Sequence, residues 1–214
     1  MTHRPLALLF AAILARALAV PAAPASAAEH EITPFIGAMI PANSLLLSTT
    51  PSIIRMQTQT LYGLDMGHMM SSRFGIDAVL AAGTGKMEIL GSGTTVTQIA
   101  TTTFIADLRG QFRLCGSPDE ANTGLVLGVG YTDVNSGLFD FAHETNAGTF
   151  LGRLTGIVGA DVHAPVSDRF GLKVTAVDRI HVQGIEINGL GTTGVYEKTQ
   201  NDICATAGLT FKIK

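Results

Sequence analysis

Beyond residue 30, apolar and polar positions alternate with a period of two along most of the chain. The stretch from Phe150 to Ile180 shows the pattern at length. On the way in, Phe150, Gly152, Leu154, Gly156, Val158, Ala160 and Val162 fall on one face. Arg153, Thr155, Asp161 and His163 fall on the other, with Ile157 and Gly159 between them. On the way back, Leu172, Val174 and Ala176 oppose Lys173 and Thr175. A period of two belongs to a strand, not to a helix. The connection Ala164-Pro-Val-Ser-Asp-Arg169 is short and made of turn formers. The segment therefore predicts a long β-hairpin. Its apolar face is gapped by glycine and alanine, and its polar face carries full charges. A barrel wall with lipid outside and a polar lumen inside requires this combination.

The same reading predicts strands over Ile32–Ile40, Gln57–Met70, Phe74–Ala82, Thr103–Cys115, Gly124–Tyr131 and Asp202–Lys214. With the hairpin this makes eight. Connections after the second, fourth and sixth strands are turn-like. The others are longer, among them Gly83–Thr95 and the Gly- and Thr-rich run Gln183–Thr199. Short turns at one end and long loops at the other suit an all-β, eight-stranded antiparallel up-and-down transmembrane β-barrel. Ser72-Arg-Phe-Gly-Ile-Asp77 is echoed by Asp168-Arg-Phe-Gly-Leu-Lys173, each just after a short turn. Phe74 and Phe170, with Tyr131 and Phe211, are candidates for an aromatic girdle at the membrane interface.

Composition agrees. Of 214 residues only 14% are charged and 46% are hydrophobic, with mean hydropathy +0.33. Soluble domains carry about 25% charge, yet no apolar run after residue 20 reaches the ~20 residues of a spanning helix. The apolar surface is instead distributed one residue at a time. The first 28 residues differ. Arg4 precedes an apolar core from Leu6 to Val20 that contains Arg16, followed by Pro21-Ala-Ala-Pro-Ala-Ser-Ala-Ala28. This predicts a secretory signal peptide over 1–28, cleaved after Ala27 or Ala28, and a barrel domain over 29–214. Cleavage leaves 14 − 2 = 12 basic residues against 17 acidic ones, net −5. Nucleic acid is not an expected partner of so acidic a chain. Cys115 and Cys204 could pair in an oxidising compartment. The topology sets one at the turn end of its strand and the other near the far end, so both are expected to be free thiols.

The mature chain resembles the small Gram-negative outer-membrane β-barrels, the group of the outer membrane protein A membrane domain and the opacity-type adhesins. The resemblance rests on the leader, Thr33-Pro-Phe-Ile-Gly37, the two Arg-Phe-Gly re-entries and the alternating end Leu209-Thr-Phe-Lys-Ile-Lys214. Members of the group usually end on an aromatic residue; here the last is Phe211. The resemblance implies location in the outer membrane, contact with its lipid and lipopolysaccharide, insertion by the barrel assembly machinery, and an extracellular ligand at the loops. It implies a structural or surface-interaction role, with a narrow channel or small-solute carrier as the alternative.

No catalytic site, metal or cofactor is expected. Gly189-Leu-Gly-Thr-Thr-Gly194 has the letters of a dinucleotide fingerprint without its βαβ context. Gly83-Thr-Gly-Lys86 is a fragment of a phosphate loop. His143-Glu-Thr-Asn146 is similar to the His-x-Ser-Asn segment of outer-membrane lipid A deacylases, which would make His143 a base, Thr145 a nucleophile and Asn146 an oxyanion donor. Threonine replaces the serine, and no following glutamate orients the histidine, so this is read as a loop tip. His30, His68, His163 and His181 are isolated in sequence, without metal-ligand spacing. The stronger constellation is the set of inward charges: Asp65, Asp77, Asp107, Arg109, Arg113, Arg153, Asp161 and Lys173. Counting from position 167 places Asp161 opposite Lys173. Confined charges must pair or hold water, so the expected interior is a filled polar lumen.

Overall fold

A computed structural model describes residues 29–42, 45–46, 52–91, 94–115, 120–136, 149–150, 153–187 and 194–213. The strands are β1 (Glu29–Pro41), β2 (Leu45–Leu46), β3 (Ser52–Met56), β4 (Gln59–Met69), β5 (Phe74–Gly91), β6 (Thr94–Cys115), β7 (Asn122–Ser136), β8 (Thr149–Phe150), β9 (Arg153–Pro165), β10 (Phe170–Ile187) and β11 (Gly194–Ile213). Eight of them form the wall in the order β5-β4-β1-β11-β10-β9-β7-β6, and pairing of β6 with β5 closes the circle. Every pairing is antiparallel. β2, β3 and β8 are short additions at the long-loop end. Closure leaves the wall no free edge, which is the condition for strands to stand in lipid.

The pairings fix the stagger of the barrel. A path from Ile203 through Asp178, Val158, Leu127, Gly110, Ile76, His68 and His30 returns to β11 at Ile213, ten residues from its start. Eight strands with that shear tilt by about 40° and enclose a bore wide enough only for side chains.

The alternation read from sequence sets which face each residue takes. Leu125, Leu127, Val129, Leu154, Val158, Leu172, Val174, Ile203 and Leu209 are exposed on the outer wall. Between them in sequence, Val126, Thr155, Ile157, Lys173, Cys204 and Thr210 point in and are buried. Phe74 pairs with Phe112, and Phe170 with Phe211, at the short-turn end of the wall. The latter two rings meet edge to face at 5.4 Å. Tyr62, Phe104 and Tyr131 stand at the other end of the apolar band. Phe104 lies eight residues up β6 from Phe112. At ~3.3 Å per residue and about 40° of tilt, the two aromatic belts are roughly 20 Å apart.

Two stretches expected to be loops are strand. β5 and β6 remain paired through Gly83–Gly91 and Thr94–Thr103, and β10 and β11 through Gln183–Ile187 and Gly194–Thr199. Above the apolar band the outer face of a strand meets water rather than lipid. The hydrophobic alternation therefore lapses while the β-branched threonines still favour extended backbone.

The echoed segments form matching turns. In one, the N–H groups of Met70 and Ser71 donate to Phe74 O; in the other, those of Val166 and Ser167 donate to Phe170 O. The Ser71 and Ser167 hydroxyls each accept from the backbone N–H groups two and three residues on. Arg73 O accepts from Arg113 N, and Arg169 O from Lys212 N. The second turn is centred on Asp168, one residue later than a count centred on 167. Pro165 faces Gly171, so Asp161 faces Thr175 and Lys173 faces His163. The expected Asp161–Lys173 cross-strand pair is thereby corrected: a turn centred one residue later moves the partner by two.

Candidate functional site in the barrel interior

Each inward charge is carried by a strand position whose neighbours face lipid, so its direction follows from the pleat. Asp65, Asp77, Asp107, Arg109, Arg113, Asp161 and Lys173 are all buried inside the wall. The side chain of Arg153 lies outside the described residues, as do residues 1–28 and the segment containing His143, Thr145 and Asn146. Cys115 is exposed, Cys204 is buried, and both are free thiols.

The charges gather in two clusters. In the first, nearer the short turns, Lys173 Nζ donates to Asp77 Oδ2 at 2.8 Å and lies 2.9 Å from Asp65 Oδ2. β10 supplies the lysine, while β5 and β4 supply the acids from the opposite side of the bore. The matching positions of the echoed motif, Asp77 and Lys173, thus meet across the lumen. Asp161 is held separately: its carboxylate accepts a hydrogen bond from Gln111 Nε2. Arg113 reaches down to the turn, donating to Ser72 O at 3.0 Å.

The second cluster lies farther from the short turns. Asp107 Oδ2 accepts from Arg109 Nη2 at 2.6 Å and from Arg179 Nη1 at 2.5 Å. Arg179 Nη2 also donates to Thr132 Oγ1 at 2.8 Å, and that hydroxyl bonds Thr155 Oγ1 at 3.1 Å. Gly130 faces this carboxylate, and a Cβ there would collide with Asp107 Oδ1. Arg179 is the largest fully buried side chain among the described residues, at 1% exposure. Carrying the alternation of β10 past Ala176 would have found it, since Lys173, Thr175, Val177, Arg179 and His181 share one face. His181 and Asp202 approach to 3.7 Å above it.

The interior is not polar throughout. Met39, Leu61, Ala81, Ile105, Val126, Ile157, Val177 and Cys204, one from each wall strand, form a buried apolar cluster with Phe35 packed against it. The Phe35 ring fits because Gly63 opposite it has no side chain; a Cβ there would lie 2.7 Å from the ring. Apolar groups fill a narrow bore without needing partners, whereas each added polar group would have required one. The signal was present in the inward positions Ile105 and Ile157. The cavity left among Phe35, Val79, Arg109, Val177 and Arg179 measures about 10 Å³, at or below the space of one water molecule.

A closed eight-stranded barrel with an apolar exterior between two aromatic belts and a plugged bore defines a small membrane-spanning β-barrel protein. No protein-family model matches the sequence, and no curated protein does. Solved structures do. The outer membrane protein OprG of Pseudomonas aeruginosa is similar with a TM-score of 0.67 at 14% identity, over 87% of this chain and 96% of that one. AlkL, determined in lipid bilayers, gives 0.60 at 11% identity over 91% and 95%. Outer membrane protein W of E. coli gives 0.54 at 11% identity over 88% and 99%. The chain has the fold of the small outer-membrane β-barrels.

Proposed function

We propose that this protein is a non-conducting barrel of a Gram-negative outer membrane, and that its working surface is the set of hairpins and loops raised above the membrane band. The plugged interior carries this reading. Both charged clusters are internally paired, an apolar cluster draws on every wall strand, and the cavity between them is about 10 Å³. Ion passage would require a continuous wet path, and these side chains fill the one available. The membrane itself is suggested by the matched structures, which are named as outer membrane proteins. Strands β5, β6, β10 and β11 run well past the upper aromatic belt and offer a rigid base for displayed loops. The role is structural or interactive, and catalysis is not assigned to any residue.

Conductance in a planar bilayer tests the proposal. The refolded protein should give a silent membrane across physiological salt. A steady, voltage-stable single-channel current from the wild-type chain would replace this reading with that of a narrow channel.

A further inference from the structure

The outer wall between the aromatic belts is apolar with one exception. Among the described residues that face lipid there, Asp178 is the only charged side chain. It stands on the outward face of β10, between Ala176 and Ile180, and pairs with Val158 of β9 and Ile203 of β11. His181 pairs with Thr155, next to Leu154 at the upper belt. Asp178 lies three residues farther down β10, roughly 6–8 Å into the band. Its carboxyl group has little to hold it there. Asn201 Nδ2 donates to Oδ2 at a long 3.2 Å, and Oδ1 is buried without a hydrogen-bond partner. Ionisable groups at membrane depth almost always face the protein interior or meet a partner, because hydrocarbon offers neither a donor nor a counter-charge. The surroundings are small. Gly156, Ala160, Ala176 and Ala205 take the outward positions next to Asp178 on the three strands, and all are exposed.

We infer that the outer face of β9, β10 and β11 is the contact surface of a homodimer, in which Asp178 of each copy accepts a hydrogen bond from the partner's Asn201. Association within a bilayer gains nothing from burying apolar groups, since lipid tails are as apolar. It draws on close packing over small residues and on hydrogen bonds. This face supplies both. A side-chain amide carries two N–H donors, and Asn201 uses one of them on its own Asp178. That bond sets the amide level with the carboxyl group. Every copy is inserted in one direction, so a two-fold axis along the membrane normal brings equal depths together. The second N–H of the partner's Asn201 therefore comes level with this copy's Asp178. The reverse holds by symmetry, as an isologous interface requires. Each carboxyl group then accepts from two amides in place of one. The donor that Asp178 lacks is carried by its own face, which points to a second copy rather than to an unrelated chain. The interface uses the lipid face alone and is independent of the plugged bore and of the displayed loops.

The test is single-molecule subunit counting of the mature chain in lipid vesicles, with a fluorophore on the exposed Cys115. The wild type should pass from monomer to dimer as the protein-to-lipid ratio rises. Asp178→Leu should weaken dimerisation by about tenfold, the scale of two hydrogen bonds between chains in a bilayer, and Asn201→Leu should do the same. Ala205→Phe should abolish it by holding the two walls apart. Asp178→Leu and Ala205→Phe add apolar groups to the lipid face, so the barrel keeps its fold, which heat-modifiability on a gel verifies. In a Cys115→Ser background, Ala176→Cys should cross-link between copies. Leu80→Cys on β5, across the barrel from β10, should not. A wild type that stays monomeric at every ratio, a dimer unaffected by Asp178→Leu, or equal cross-linking at positions 176 and 80 would each overturn the interface.

Discussion

Lys173 illustrates how a single side chain organises the bore. Its ammonium is enclosed between Asp65 and Asp77, and both acids are buried with it. Removing one member of a buried ion pair costs about 3–5 kcal/mol, because the remaining charge stays desolvated. Lys173→Met should therefore destabilise the barrel by that amount in urea unfolding from lipid vesicles. In a double-mutant cycle, Asp77→Asn and Lys173→Met should couple by about 0.5–3 kcal/mol, as contacting residues do. Asp161→Asn should couple to Lys173 less, since Asp161 is bonded to Gln111 instead. Equal coupling for the two acids would mean that the ammonium is shared among all three.

Along a single strand, the cost of a charge follows its depth. Leu108 lies four residues from Phe112 and four from Phe104 on β6, midway between the aromatic belts. Leu154 is 76% exposed but sits beside Tyr131, at the upper belt. It is the second residue of β9, so it stands at the membrane boundary rather than at mid-strand. A lipid-facing arginine costs about 2–4 kcal/mol at the midplane and ~0–1 near the interface. Leu108→Arg should accordingly lower the unfolding free energy in vesicles by the larger amount, and Leu154→Arg by the smaller. A reversed order would show that the belts do not mark the membrane boundaries.

At the scale of the whole molecule, the barrel divides into a membrane band and a raised crown. Ten residues separate Phe104 from Thr94 at the tip of β6, about 33 Å of extended strand. The crown hairpin needs the band for its base, but the band closes without the crown, because β5 and β6 are already paired from Phe74–Phe112 to Lys86–Ala100. Deleting residues 87–99 and joining Lys86 to Ala100 through Asn-Gly, a two-residue turn suited to hairpins, should leave a folded barrel. The unboiled sample should still migrate differently from the boiled one on a gel. Loss of that difference would make the crown part of the folding unit.

The sequence alone determined the fold class, the face taken by nearly every wall residue and the positions of the short turns. These follow from a local rule: successive side chains of a strand point to opposite sides, and lipid tolerates only apolar ones. The echo between Ser72–Asp77 and Asp168–Lys173 was legible for the same reason, as was the inward set from Asp65 to Lys173. Which charges meet was not legible. Asp77 and Lys173 are 96 residues apart and face each other only once the circle closes. The turn at 166–169 is centred on Asp168, which sets Asp161 opposite Thr175 instead of Lys173, a two-residue difference that keeps the same face and is invisible in the alternation. The apolar cluster through Phe35, the seat of Arg179 on Asp107 and the contact of His30 with His68 likewise depend on the stagger of eight strands. Alternation specifies in or out; only the closed barrel, through its shear, specifies who stands opposite whom.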